Sequence, residues 1–304
     1  TCPWNSYRPW PKNCANFLSP KRSSPLAHPP LALHEPPFAI MNTISLHNVD
    51  IIMSYRGNTS EREENLYAVL RYFDLAHSDY TIWLMEADVV PKFDWHRLSN
   101  PRIRHVFTYH DGLFPKAYLY NLGAKISQSE ALFFIDIDCV PNPHVLSSCI
   151  YNIMTAPDND VICPYHGAIN VTGATKRRFL QNPSFDHFNG IHKAALTDDT
   201  SVLYEGSMGG AFIFRRSAFL RIGGLDTSFI GWGGEDNELF FRSQRLGIKW
   251  VSMDTPLFHL HHDSTNRDEW VVKAEANARR AYLSQTMPMA DLEAATEKLK
   301  QFFA

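Results

Sequence analysis

The sequence predicts an α/β protein with a mostly parallel central sheet covered by helices on both faces. Two observations carry this. Short apolar, β-branched runs alternate with helical spacing from Val49 to Tyr165, and the runs stop abruptly at polar or charged residues. Consecutive apolar positions belong to strands buried on both faces, and the alternation with helices belongs to parallel crossovers. Ligands of such sheets bind beyond the carboxyl ends of the strands.

The elements follow in order. Residues 1–40 hold nine of the nineteen prolines and little amphipathic periodicity, which predicts an extended or disordered tail ahead of a single domain at 41–304. VDIIMS (49–54) reads as a buried strand, and 60–77 as a helix with Leu66, Val69, Leu70 and Phe73 on one face and acids in its first turn. TIWLME (81–86) and IRHVFTY (103–109) are further strands, 114–128 a helix, and ALFFIDID (131–138) a strand ending in carboxylates. A helix with proline at its start follows at 141–156, then a strand at 159–165. Residues 166–200, with Lys176, Arg177 and Arg178 together, read as a long loop or insertion: either a solvated surface or a lid over an acceptor. The segment 248–262 reads as a short strand pair ending in histidines, and the remainder from Asp268 is mostly helical.

With 304 residues, 44% hydrophobic and 20% charged, the composition is that of an ordinary soluble globular chain with a sizeable core. A formal charge of -3 gives no basis for general nucleic-acid binding. No apolar run approaches the roughly 18 residues of a membrane span, so membrane contact is expected to be peripheral at most. Five cysteines without a CxxC pair argue against a disulfide framework or a zinc-thiolate site and favour a reducing compartment. The sequons at Asn58 and Asn170 point the other way.

The stretch 204–242 sets a glycine-flanked apolar run and a short helix before a second glycine cluster that delivers Glu235 and Asp236 to a helix start. Glycines let the backbone bend and approach a ligand closely, and the helix dipole stabilises two carboxylates there as anions. Two readings fit: a helix cap beside a packed Trp232, or a general base with a hydroxyl-binding partner. Asp136 and Asp138 end the 131–138 run, where strand alternation would turn both to one side. Two carboxylates at the end of an apolar strand need compensation, which a divalent metal with a diphosphate would provide. His259 and His262 are the natural further ligands, and imidazole suits manganese better than magnesium or calcium.

Together, the strand ending in DID, the GG–GGLD–GWGGEDNE run and the later histidines resemble the GT-A glycosyltransferases. The likeness is closest to catalytic domains of the β-1,4-galactosyltransferase and bacterial chondroitin-polymerase type. Gly231-Trp232-Gly233-Gly234-Glu235-Asp236-Asn237-Glu238 matches their WGWGGEDD or GWGGEDNE motif. FPKAYLYNLGA (114–124) is similar to their FNRAKLLNVG, and SYRGN (54–58) resembles the PFRNR that opens the nucleotide site. The resemblance covers about 49–265. It implies a Rossmann-like GT-A domain with a nucleotide-binding half at about 49–165, an acceptor and catalytic half at about 200–265, and C-terminal helices at 268–304.

The resemblance also implies roles. A UDP-sugar donor would meet Ser54, Arg56, Glu86, Asp88, Phe114, Lys116, Asn121 and Asp136, with Arg56 at the diphosphate or ribose, Phe114 against uracil and Asp136 at the ribose. Asp138 would hold manganese (or magnesium) with His259 or His262; His262 stands at the family's metal-histidine position and His259 where the galactosyltransferases carry a methionine ligand. Trp232, Gly233 and Gly234 would line the site of a glycan or glycoconjugate acceptor, Glu235 would bind sugar hydroxyls, and Asp236 would be the base of an inverting transfer. The alternatives are an inactive sugar-nucleotide or glycan-binding domain of the same fold, and a retaining enzyme like the polypeptide GalNAc-transferases, which carry WGGEN. The expected compartment is the cytoplasm of a bacterial-type cell, or the Golgi lumen if a membrane anchor has been removed.

Overall fold

The apolar run at 49–54 lies within strand β1 (Ile44–Tyr55), whose last five residues are all buried, so both faces of the sheet around it are covered. A computed structural model describes residues 43–231, 233–263 and 267–304; the proline-rich tail at 1–40 and Trp232 lie outside the described residues. Residues Ile40–Ala304 form one unit.

After β1 comes helix α1 (Ser60–Ala76), started by the Thr59 side chain accepting from the Arg62 amide, with Glu61 and Glu63 in its first turn. Its predicted apolar face, Leu66, Val69, Leu70 and Phe73, is buried. Strands β2 (His77–Asp88) and β3 (Ile103–Tyr109), helix α2 (Lys116–Ile126), and strands β4 (Ala131–Ile135) and β5 (Cys139–Val140) follow. Helix α3 (Pro143–Thr155) has proline in its first turn and Asn142 as cap, the Asn142 side chain accepting from the amides of His144 and Val145. The rest is β6 (Val161–Cys163), β7 (Ala168–Val171), α4 (Gly173–Gln181), a 3₁₀ turn at Phe185–Phe188, β8 (Thr200–Tyr204), β9 (Ala211–Arg215), α5 (Arg216–Arg221), α6 (Glu235–Arg245), β10 (Trp250–Ser252), β11 (Leu257–Leu260), α7 (Arg267–Thr286) and α8 (Met289–Lys300).

Seven strands form one sheet in the order β10-β6-β9-β4-β1-β2-β3. Its β10/β6, β4/β1, β1/β2 and β2/β3 pairs are parallel, and only β9 runs against its neighbours. The predicted mostly parallel sheet is therefore present, with helices α2 and α3 packed on β1. A second sheet, β5-β11-β7-β8, stands beside the carboxyl end of β4.

This second sheet overturns two expectations. Residues 166–200 are not a structureless loop: they supply β7, α4, the 3₁₀ turn and the start of β8. Phe179 and Phe188 anchor them, both buried, with ring centroids 5.2 Å apart. Nor do the strands in 248–262 pair with each other: β10 joins β6 in the large sheet, and β11 joins β5 and β7 in the small one. Periodicity identifies a strand but not its partner, which long-range packing selects.

Helix α6 is fixed from beneath by a buried ion pair. Arg242 Nε lies 2.6 Å from Glu238 Oε1 and its Nη2 2.9 Å from Oε2; the guanidinium also donates to the carbonyls of Ile222 and Gly224, while Ser284 Oγ donates to Glu238 Oε1 at 3.0 Å. The glycine turn that follows α5 is thus tied to the helix that carries the acidic pair. Arg242→Met leaves Glu238 buried without its counter-charge and is expected to destabilise the fold by about 3–5 kcal/mol in urea denaturation. A loss under about 1 kcal/mol, the value of an exposed pair, would contradict this role.

Candidate active site

Strand β4 ends at Ile135, and Asp136–Asp138 is a turn, with the Asp136 amide donating to the Gly210 carbonyl at 2.9 Å and the Cys139 amide to the Asp136 carbonyl at 3.1 Å. Strand alternation therefore does not apply, and the two aspartates do not face one cation as expected. Ile137, fully buried, separates two clusters.

The first cluster gathers Asp138, His259 and His262, which offer ligand atoms within 4.8 Å of one another. His262 Nε2 is 3.1 Å and His259 Nε2 3.7 Å from the Asp138 carboxylate. The His259 Nδ1 lies 2.9 Å from Asn170 Oδ1 and the His262 Nδ1 3.2 Å from the Asp263 carbonyl. Both partners only accept, so each Nδ1 has a partner for its proton and each Nε2, the nitrogen turned toward Asp138, is the atom a metal would take. Burial keeps the His259 imidazole below its ordinary pKa, against the pull of Asp138. Burial would raise Asp138, but His259, His262 and Arg62 outweigh it and hold its carboxyl well below the usual range. One carboxylate and two imidazoles whose Nε2 atoms converge, each with an acceptor at its Nδ1, fit a divalent transition metal. Arg62 Nη1 stands 3.8 Å from Asp138 and 3.4 Å from His262 Nε2.

The second cluster surrounds Lys116, at the start of α2. Its ammonium is 3.2 Å from Asp136, 3.2 Å from Asp236 and 3.5 Å from Glu235. Tyr120 donates to Asp136 at 2.9 Å. Gly234 precedes α6 in the left-handed conformation, with φ 87°, and no side chain caps the helix. The cap reading of the acidic pair is therefore replaced: Glu235 and Asp236 occupy the first turn of α6 and aim at Lys116. Gly209 is needed beside them, because a Cβ there would lie 2.5 Å from Asp236 Oδ2. Glu235 Oε2 and Asp236 Oδ1 are buried with no hydrogen-bond partner, which is costly in the absence of a ligand. Burial pushes the Asp236 carboxyl up to about 7, with Lys116 opposing and Glu235 and Asp136 adding to the rise.

On the nucleotide side, Arg56 donates to the carbonyls of Ala87 (2.9 Å) and Gly112 (2.8 Å), with its guanidinium 5.6 Å from the Phe114 ring centroid. Arg56 thereby orders the loop that carries Phe114. Ser54 is buried on β1, and Asp88, at the end of β2, accepts from the Val89 amide at 2.7 Å. Gly233 has φ 89°.

Two residues expected at the donor are buried and bonded to loop backbone. Glu86 is fully buried, its carboxylate accepting from the amides of Lys92 (2.5 Å) and Phe93 (3.4 Å) and lying 2.7 Å from His105 Nε2. Asn121 is likewise buried, its amide clamping Leu225 by two bonds of 2.8 and 2.9 Å. Both are committed to holding loops. In the sequence Asn170 stands out only as a sequon, and Arg62, Gly209 and Tyr120 carry no motif of their own; only the position of Arg62, just past SYRGN, offers a signal.

Residues 191–263 match the family model described as the N-terminal domain of galactosyltransferase, a span that contains the acidic pair and both histidines. The chain is 24% identical over 229 residues to human chondroitin sulfate N-acetylgalactosaminyltransferase 2, covering 73% of this chain and 38% of that protein. It is 24% identical over 195 residues to chondroitin synthase of Escherichia coli (55% and 28% covered) and 25% identical over 152 residues to beta-1,4-galactosyltransferase 3 of Cricetulus griseus (49% and 30%). The chain thus spans less than half the length of each of these relatives. Among solved structures, a variant of Drosophila β-1,4-galactosyltransferase 7 with manganese, UDP-Gal and xylobiose aligns with TM-score 0.43 at 15% identity, covering 75% of this chain and 80% of that one. The M. tuberculosis glucosyl-3-phosphoglycerate synthase aligns with TM-score 0.47 at 12% identity, covering 79% and 80%. The family match falls on the very segment that builds the acidic pair and two of the three converging ligands, and over it and the flanking sheet the chain is similar to a beta-1,4-galactosyltransferase and to a chondroitin synthase.

Proposed function

We propose that the chain moves a hexose or N-acetylhexosamine from a UDP-sugar to a hydroxyl of a glycan acceptor, with manganese and with inversion at the anomeric carbon. The observation that carries this is the pair of buried, partnerless oxygens, Glu235 Oε2 and Asp236 Oδ1, in a fold that also gathers three side chains able to hold a metal. Sugar hydroxyls are the natural donors for such oxygens.

Asp138, His259 and His262 would hold the metal, which when bound neutralises charge on the diphosphate leaving group. Glu235 accepts from sugar hydroxyls and orients them. Asp236 takes the acceptor's hydroxyl proton as that oxygen forms its bond to the anomeric carbon and the bond from that carbon to the diphosphate breaks, releasing UDP. Asp136, braced by Tyr120, and Phe114 would bind the nucleoside. A base held close to physiological pH is matched to its task, and this favours inversion over the retaining alternative. Trp232 and the glycines beside it would line the acceptor site.

The central test is a donor screen by UDP release, with manganese against chelator; release that is indifferent to chelator would reject the metal reading. The pH profile is a second test. Asp236 must be ionised to act, so kcat/KM should rise with pH and level off above about 7. The Lys116 ammonium favours the ionised form, so Lys116→Met should move that inflection upward, and an unmoved inflection would remove Lys116 from this role.

No helix among the described residues is long and apolar enough to cross a membrane. Cys139, Cys149 and Cys163 are free and buried, and the Asn170 amide is engaged by His259 and His261, which supports a reducing compartment over the secretory route its sequon suggested.

A further inference from the structure

We propose that Asn170, oriented by His261, sets the tautomer of His259 and so prepares it to bind metal; this rests on the metal reading above. Strands β7 and β11 run parallel with Asn170 directly opposite His259. One amide touches two imidazoles: Asn170 Oδ1 is 2.9 Å from His259 Nδ1, and Asn170 Nδ2 is 3.2 Å from His261 Nδ1. An amide oxygen only accepts and an amide nitrogen only donates. His259 must therefore carry its proton on Nδ1, and His261 must leave its Nδ1 bare and carry its proton on Nε2. The Asp263 carboxylate, 3.7 Å from His261 Nε2, favours that placement.

The order of dependence follows. With the amide turned over, its NH₂ would face His259 Nδ1, and the His259 proton would move to Nε2, in the space shared with Asp138. That nitrogen would then have no lone pair for a metal. His261 prevents the turn by accepting from Nδ2. Its own position is fixed: its amide donates to the Val171 carbonyl at 3.0 Å, and its carbonyl accepts from Lys176 Nζ at 2.5 Å. His262 is an internal control, because its Nδ1 faces the Asp263 carbonyl and does not depend on Asn170. Asn170 is thus a positioning residue for a ligand, and the sequon that marks it has a structural use in place of glycosylation.

The test reads the tautomer directly, by long-range proton–nitrogen NMR on the metal-free protein. The expected result is His259 protonated on Nδ1 in the wild type and in Asn170→Asp, whose carboxylate still accepts, but shifted toward Nε2 in Asn170→Leu, with His262 unchanged in all three. Manganese titration followed by electron paramagnetic resonance should then give affinity about 10–100-fold weaker for Asn170→Leu, with Asn170→Asp retaining tight binding. Wild-type His259 protonated on Nε2 would overturn the inference, as would a folded Asn170→Leu that binds manganese like the wild type. Failure of the wild type to bind manganese would instead sink the metal reading, with the tautomer measurement still deciding what Asn170 does. That measurement needs no variant, so it stands even if Asn170→Leu does not fold.

Discussion

Replacing Asp236 by asparagine is expected to lower turnover by at least about a hundredfold, the low end of what a positioned general base contributes, while the donor still binds. The side chain keeps its size and its place in the first turn of α6, so the glycine turn and the contacts around Gly209 are unchanged in volume. What is lost is the proton acceptor at Oδ1, the oxygen left buried and without a partner. The amide also removes one of the three carboxylates around Lys116, leaving Asp136 and Glu235 to hold the ammonium, so the fold of the cluster persists. The measurement is UDP release under saturating donor, paired with donor binding by calorimetry. Turnover near that of the wild type would show that the proton leaves by another route.

Asp138→Ala is expected to abolish manganese binding and with it metal-dependent donor binding. Asp138 is the only carboxylate of the three-residue set, and its removal leaves two imidazoles beside the cationic Arg62. A set without negative charge, next to a guanidinium, has little affinity for a divalent cation. The loss should exceed the roughly 10–100-fold cost of removing an outer-shell partner such as Asn170. Manganese titration and UDP-sugar binding with and without chelator read the effect. Retained, chelator-sensitive donor binding in Asp138→Ala would move the metal to other ligands.

Much of the fold was legible in the sequence because it is local. Strand β3 falls where the run IRHVFTY predicted it, and α1 buries the face that its spacing marked. The caps of α1 and α3 are chemical signals within a few residues of the helices they start. The 166–200 segment was missed because its apolar anchors, Phe179 and Phe188, are sparse among polar residues, and they acquire meaning only against β11, where the Phe188 ring stacks on Phe258 at 4.4 Å.

The same division runs through the site. The sequence by itself determined which groups are present and which are neighbours along the chain: a carboxylate pair at a helix start, a DID at a strand end, histidines two residues apart. Tertiary structure alone decided how they divide. Because the strand stops at Ile135, the turn sends Asp136 to Lys116 and Asp138 to the histidines. Because β11 pairs with β7, His259 meets Asn170 and both histidines join Asp138. Because the loops at Lys92 and Leu225 pack against them, Glu86 and Asn121 bind loop backbone. Residue type and spacing follow from the chain, but the partner of a buried polar group is whatever the packed fold brings within about 3 Å, the reach of a hydrogen bond.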